Sequence, residues 1–217
     1  KAYGKTTDLT AMGGAQYVHT FDKCFFMPSD LTAGLEYNRD RLKDNMWGYN
    51  RHTDQTVNIY SAFLQNEWKN DRWGILIGGR LDKHNMVDNV IFSPRANLRF
   101  NPTQNINLRL SYSSGFRAPQ AFDEDMHIEN VGGTVAMIER AKDLKEEKSQ
   151  SFSVSADMYH RFGAFQTNLL IEGFYTRLTD VFVLGKPYDR GDGILVKTRS
   201  NGPGAKVMGL TLEGKVA

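Results

Sequence analysis

The chain has 217 residues, 40% of them hydrophobic, which is enough for one sizeable apolar face or core. Lysine and arginine number 27 against 25 acids, a formal charge of +2, so no strong field exists to draw in nucleic acid and none is expected as a partner. The single cysteine, Cys24, forms no internal disulfide, no apolar run is long enough for a transmembrane helix, and residues 1–5 (KAYGK) lack a signal peptide's apolar stretch; the chain is either soluble or crosses a membrane with strands.

Helical periodicity is nearly absent. Alternation with period two recurs instead, as in Leu31, Ala33, Leu35, Tyr37 and again in Ile106, Leu108, Leu110, Tyr112. It predicts about nine strands, near residues 12–21, 31–40, 56–68, 73–83, 92–100, 106–116, 150–162, 165–180 and 206–216. Their connections alternate in length. Tight turns are expected at Asn70-Asp71, at residues 102–105 and at Gly163-Ala164, with a moderately longer one at 22–30. Long, charge-rich connections are expected at 42–54, 84–91, 117–149 and 185–205. All short connections then lie at one end of a sheet and all long ones at the other.

Two-residue turns set the register. Around Asn70-Asp71 this predicts Trp68 facing Trp73, Leu64 facing Ile77 and Tyr60 facing Leu81, with Ser61 opposite Arg80 on the other face. Around Gly163-Ala164 it predicts Phe162 facing Phe165, Met158 facing Leu169 and Ala156 facing Ile171, with Leu170 the one misfit on the polar side. Around Asn101-Pro102 it predicts Phe100 facing Ile106, Leu98 facing Leu108 and Arg99 facing Asn107. Each hairpin has one apolar and one wet face. On the wet face Arg80, Arg95, Arg99 and Arg109 are expected to line a lumen, balanced by Glu36, Glu67, Asp82, Asp157 and Glu172.

The aromatic residues say what the apolar face meets. Trp68, Trp73, Phe100, Phe162 and Phe165 all stand beside a short turn, with Phe21, Phe25 and Phe26 at the remaining one. Phe92, Tyr112, Phe152 and Tyr175 form a second set about eight residues further on, roughly 20 Å away for tilted strands. Two girdles at that spacing fit the interfaces of an outer-membrane apolar band, whereas a sandwich has no reason to sort its aromatics so. The mean hydropathy of -0.49 is compatible, because every second residue of a membrane strand is polar. The expected fold is therefore all-β, an antiparallel up-and-down transmembrane β-barrel. With about nine strands and a start on the long-loop side, it is expected to be a partial barrel, because bacterial barrels have an even strand count.

Several segments then carry a resemblance. The stretch LSYSSGFRAP at 110–119, with VNIYSAFLQNEW at 57–68, GGRLD at 78–82, SPRANL at 93–98, DLKEEKS at 143–149 and GFYTRLTDVF at 173–182, resembles in the same order the barrel segments of TonB-dependent outer-membrane receptors. The resemblance implies a barrel of about 22 strands closed by an N-terminal plug. It also implies a multi-pass location in the outer membrane of a Gram-negative bacterium, contact with its lipid, and uptake of a scarce chelate such as a ferric siderophore, haem or cobalamin. Energy would come from the TonB complex through an N-terminal region. Residues 1–217 would be a partial barrel domain, the plug and the TonB-contacting segment lying outside them.

On this reading Pro119 ends a strand and Asp123, Glu124 and Asp125 lie in a long extracellular loop. Candidate ligand contacts are Arg117, Asp123, Glu124, Asp125 and His127 there, and Trp47, Tyr49 and His52 in the first long loop. FRAP followed by a histidine resembles the haem-uptake branch, where a loop histidine ligates iron, but the NPNL expected next is replaced by AKDL at 141–144. Residues 135–144 suit a short helix or irregular loop, and DRGDG at 189–193 reads as a plain turn, lacking the spacing of a calcium loop. Three adjacent acids define no metal geometry, no zinc, phosphate-loop or nucleophile-elbow motif occurs, and no catalytic residue or cofactor is expected. The functional readings are an energised receptor, a passive porin, or a soluble β-sandwich binding module; the ordered segments favour the first.

Overall fold

The structure, a computed structural model, describes residues 4–120, 129–131, 134–191 and 193–217. Its strands are β1 (Gly4–Cys24), β2 (Met27–Met46), β3 (Arg51–Lys69), β4 (Trp73–His84), β5 (Ile91–Thr103), β6 (Ile106–Arg117), β7 (Glu129–Val131), β8 (Thr134–Arg140), β9 (Glu147–Phe162), β10 (Phe165–Thr179), β11 (Phe182–Leu184), β12 (Tyr188–Asp189), β13 (Leu195–Asn201) and β14 (Ala205–Val216). Nine of them form one antiparallel sheet in the order β1-β2-β3-β4-β5-β6-β9-β10-β14, each the counterpart of a strand expected from alternation. The remaining strands build a second, smaller sheet in the order β11-β13-β8-β7, with β12 beside β13. It is made from the long connections and is not the facing layer of a sandwich. The outward side chains of the large sheet, among them Tyr60, Leu64, Ile77, Phe92, Leu110, Val154 and Leu210, stand exposed.

The first long connection expected from sequence, 42–54, is mostly strand. β2 and β3 continue to Met46 and from Arg51, joined by a single 3-10 turn at Trp47–Tyr49 with Asn50 in the left-handed conformation. Strands of 20 and 19 residues are about twice what a membrane crossing takes, so this hairpin projects well past the apolar band. The connection at 22–30 shrinks to Phe25-Phe26, where Phe25 takes a positive φ of 63°.

Two of the three expected registers are displaced by two residues. β3 and β4 pair Trp68 with Ile75, Leu64 with Gly79, Tyr60 with Lys83 and Ser61 with Asp82. The cause is a longer turn held by Asn70: its backbone N–H donates to the Trp73 carbonyl (2.9 Å), and its Oδ1 accepts from the N–H groups of Arg72 (2.9 Å) and Trp73 (2.7 Å). β5 and β6 likewise pair Phe100 with Leu108, Leu98 with Leu110 and Arg99 with Arg109. Here a bulge between Phe100 and Thr103 absorbs Asn101 and Pro102, where proline's missing donor does no harm. The Gly163 turn is as expected: Phe162 pairs with Phe165 and Ala156 with Ile171, and Gly163 has a φ of 60°. Because both displacements are even, every side chain keeps its face.

The aromatic rows survive. Trp73 stacks on Phe100 (ring centroids 4.2 Å apart), and Trp68 meets Phe26 (5.7 Å) while its Nε1 donates to the Cys24 carbonyl (3.0 Å). At the other end Tyr37 meets Tyr60 (4.9 Å) and Tyr112 meets Phe152 (4.8 Å), with Tyr175 next in the row. The face assignment has a direct test. Asn97 faces Leu76 and Ser111 on the polar side, and Leu98 faces Ile75 and Leu110 on the apolar side. Spin labels at 97 and 98 in the full-length protein should report water and lipid respectively; lipid exposure at 97 would refute the register.

Candidate ligand site at the loop end of the sheet

On the polar face Arg80 is the hub. Its guanidinium pairs with Glu36, donates to Asp82 Oδ1 (2.8 Å) and to Ser61 Oγ (2.8 Å), and Ser61 in turn donates to Asp82 (2.6 Å). Asp82 is buried, so an arginine with several acceptors is what keeps its charge tolerable there. Arg95 lies two positions from Asn97 on the same face, in a shallow cavity with Glu36 and Arg80. Arg109 donates to Asn107 (2.8 Å), and Asp157 accepts from Tyr159 (2.9 Å) and from Asn168. Arg99 is committed elsewhere, donating to the Asn70 carbonyl (3.0 Å) and so bracing the tight turn.

Above this wall the long connections fold into the small sheet. β8 runs parallel to β13, Val196 pairing with Met137 and Arg199 with Arg140. Met137 and Val196 are buried to 2% and 0% exposure, a small apolar seam that fastens the two connections together. Residues 134–140 are thus strand, where a short helix or loop was expected over 135–144; a parallel partner 59 residues further along the chain decides this and leaves no local trace. Arg140 ties the layer to the large sheet, donating through Nη1 to Gln55 Oε1 and to the Pro119 carbonyl (both 2.9 Å). Asn201 holds its far side through Lys145 (N–H to Oδ1, 2.8 Å) and the Asp180 carbonyl (2.7 Å). Of the expected turn at 189–193, the Gly191 N–H donates to Asp189 Oδ1 (2.8 Å), while Asp192 lies outside the described residues.

Between the projecting β2–β3 hairpin and β8 lies a cleft of about 680 Å³. Among the described residues its polar lining is chiefly basic, with Arg51, His52, Arg140, Lys142 and Arg190 against the acid Glu139, and Met86, Met137 and Leu144 supply apolar walls. Arg51 is anchored on Asp44 (2.7 Å), which is 1% exposed, and Arg190 approaches Glu139 at 3.9 Å. A His52 ring nitrogen lies 2.9 Å from Asn45 Oδ1. A cleft of this size with an excess of cations and some apolar surface suits an anionic ligand with apolar parts.

His84 stands behind Met86 of the cleft wall. It is fully buried at the last position of β4, beyond the outer aromatic row, and its Nδ1 accepts the Met86 N–H (3.0 Å), which places the proton on Nε2 facing Gln120 Oε1 (3.2 Å). Burial holds its imidazole below the usual value, against the opposing pull of Gln120 and Asp82.

Of the loop residues expected to touch ligand, His52 lines the cleft. Trp47 is exposed at the hairpin tip, and Tyr49 belongs to the same 3-10 turn. Arg117 stands apart, its guanidinium 5.7 Å from the Phe182 ring centre. Asp123, Glu124, Asp125 and His127 lie outside the described residues. The cleft cations Arg51, Arg140, Lys142 and Arg190 and the buried His84 were not anticipated. They sit in charge-rich stretches, but nothing local marks which of many charges converge.

A family model described as TonB dependent receptor-like, beta-barrel matches residues 2–217. The probable hemoglobin and hemoglobin-haptoglobin-binding protein 3 of Haemophilus influenzae is 24% identical over 189 residues, covering 86% of this chain and 16% of that protein. The siderophore receptor PirA from Pseudomonas aeruginosa superposes with a TM-score of 0.75 at 17% identity, covering 97% of this chain and 39% of that one. A double mutant of the Serratia marcescens hemophore receptor HasR, in complex with its hemophore HasA and heme, gives a TM-score of 0.76 at 13% identity, with 99% and 40% covered. The chain therefore spans well under half the length of each, and what these structures share with it at such identities is the fold.

Proposed function

The chain belongs to the TonB-dependent receptor β-barrel family, and from that premise we propose that it supplies part of the wall and the extracellular loops of an outer-membrane receptor that imports a scarce chelate in a Gram-negative bacterium. Its ligand would be a ferric siderophore, haem or cobalamin. A plug and a segment that engages the TonB complex would belong to the rest of the receptor, and the role is transport, not catalysis. The observation that supports this most is the basic cleft standing directly above a polar, charge-balanced strand face. A ligand captured by the loops would meet a wet lumen next, which is the order an importer uses.

The siderophore and hemophore receptors both have this fold, so siderophore and haem remain the leading ligand classes. A strain lacking the gene, grown on one iron or cobalamin source at a time, should fail on a single source and recover with the gene restored. Growth equal to the parent on every source would overturn the proposal. His127→Ala separates the two leading ligands: growth on haem should fall about tenfold or more if His127 ligates the iron, and growth on a siderophore should not change.

A further inference from the structure

His84 is a buried titratable group that uptake leaves unused, and it stands where the large sheet is parted. The β5–β6 ladder ends at Arg95 with Ser113, although β5 begins at Ile91 and β6 runs on to Arg117. The flanking ladders continue: β4 still pairs Asp82 with Ile91, and β9 still pairs Glu147 with Arg117. Pro94 has no N–H to give, and a Cβ built at Gly115 would meet nothing within 4 Å except Ser149 Oγ of β9 (3.3 Å). An apolar cluster and one histidine bridge the gap. Val87 and Ile91 pack with Ala118 and Phe116 from the other side. Beside them His84, fully buried, joins Met86 of the β4–β5 connection to Gln120 beyond β6, one ring nitrogen for each.

This join requires a neutral ring. Nδ1 accepts the Met86 N–H while the Nε2–H faces Gln120. A protonated ring is a donor at both nitrogens, so it would set N–H against N–H at Met86 and leave a charge buried. The charged groups around it are already engaged. On β4, Asp82 is held by Arg80 and Ser61, and Lys83 donates to the carbonyls of Val87 (3.0 Å) and Asp88 (2.6 Å), the Asp88 side chain being exposed. On β3 the facing residue is Ile59. At the exit of β6, Arg117 lies over Phe182 and Arg140 reaches the Pro119 carbonyl.

We propose that His84 is an acid-released latch: proton uptake detaches Met86, the 85–90 connection parts from Gln120, and the cleft loses that piece of its wall. Met86 and Pro119 both line the cleft, so the two sides of the latch are also two parts of its boundary. Asn85 is the pivot, bound to Asn58 through both backbone and side chain and to the Thr56 carbonyl (2.8 Å), and the long Lys83 side chain can follow the motion. Burial makes the folded ring harder to protonate, against the pull of Gln120 and Asp82. The latch is therefore fully closed above histidine's ordinary range and is lost as pH falls through the lower value of the folded state. A receptor built this way holds ligand less tightly in acid surroundings. That consequence rests on the cleft being the ligand site; the latch does not.

The test places a nitroxide at Asn89, exposed in the connection, in the full-length receptor in phosphatidylcholine nanodiscs with no ligand present. From about pH 7.5 to about pH 5 the ratio of mobile to immobile signal should rise, by up to about tenfold per pH unit below the ring's own value. A label at Gln104, in the tight turn at the other end, should not change. His84→Gln should abolish the pH dependence at Asn89. Gln120→Glu, whose carboxylate favours the charged ring, should move the transition to higher pH. An Asn89 signal that ignores pH, an equal change at Gln104, a transition that persists in H84Q, or one unmoved in Q120E overturns the latch. Because no ligand enters the measurement, such a failure leaves the import reading intact, and a receptor that imports no chelate leaves the latch standing.

Discussion

Arginine at Ile171 should keep the full-length receptor out of the outer membrane, while arginine at Leu170, one residue away, should be accepted. Ile171 lies on the apolar face about midway between Phe165 beside the tight turn and Tyr175 in the outer aromatic row, and it pairs with Ala156 and Leu212. A guanidinium near mid-bilayer on a barrel's lipid face costs about 2–4 kcal/mol. Its cross-strand neighbours Ala156 and Leu212 carry no charge to offset it. Leu170 points the other way, the one apolar misfit expected on the polar side of this hairpin, and its cross-strand neighbours are Asp157 and Glu213. An arginine there gains two carboxylates in a wet environment. Heat-modifiable migration of outer-membrane fractions reads both variants. Ile77→Arg, opposite Ala96, repeats the test on another hairpin. Normal assembly of I171R and I77R would mean that this face does not meet lipid. Leu108 would be a weaker test of this kind, because it lies opposite Phe100 in the girdle, where the penalty is smaller.

Removing residues 123–143 should leave assembly intact and lower ligand uptake by about two orders of magnitude, equivalent to roughly 3 kcal/mol of binding. The membrane strands on either side keep their ladder: β6 and β9 pair from Ile106 with Met158 to Arg117 with Glu147, all outside the deletion. What is lost is β8 and everything it organises. β13 loses a parallel partner over Leu195 to Arg199, the Met137–Val196 seam is opened, and the Arg140 link to Gln55 and Pro119 disappears. The cleft loses one wall and two of its cations, Arg140 and Lys142. Arg140→Ala is the milder form, expected to reduce uptake about tenfold because it frees the layer without removing it. Radiolabelled chelate uptake, normalised to receptor in the outer membrane, measures both. A deletion variant that transports at the parental rate would make this layer a solvated cover and the cleft irrelevant to import.

The large sheet was legible because its signal is local and has period two. Alternation marks each strand, and the face of any residue follows from parity, so Arg80, Asn97 and Leu110 could be assigned to faces before any pairing was known. The aromatic rows were legible for the same reason, since distance from a tight turn is counted along the chain. The Gly163 turn fixed its register outright, because only glycine sits easily at its positive φ. Other features required the tertiary structure. A displacement by two is invisible to alternation, so the Asn70 turn and the Asn101-Pro102 bulge, which depend on side-chain and backbone hydrogen bonds at the tips, moved two registers without moving any face. The cleft lay further out of reach. Its walls come from β3, β8 and the segments around Pro119 and Arg190, and the parallel pairing of β8 with β13 joins stretches that carry no shared pattern. Which arginines face each other across it is set by long-range packing of buried Met137 and Val196, a decision made in three dimensions and not by any run of neighbouring residues.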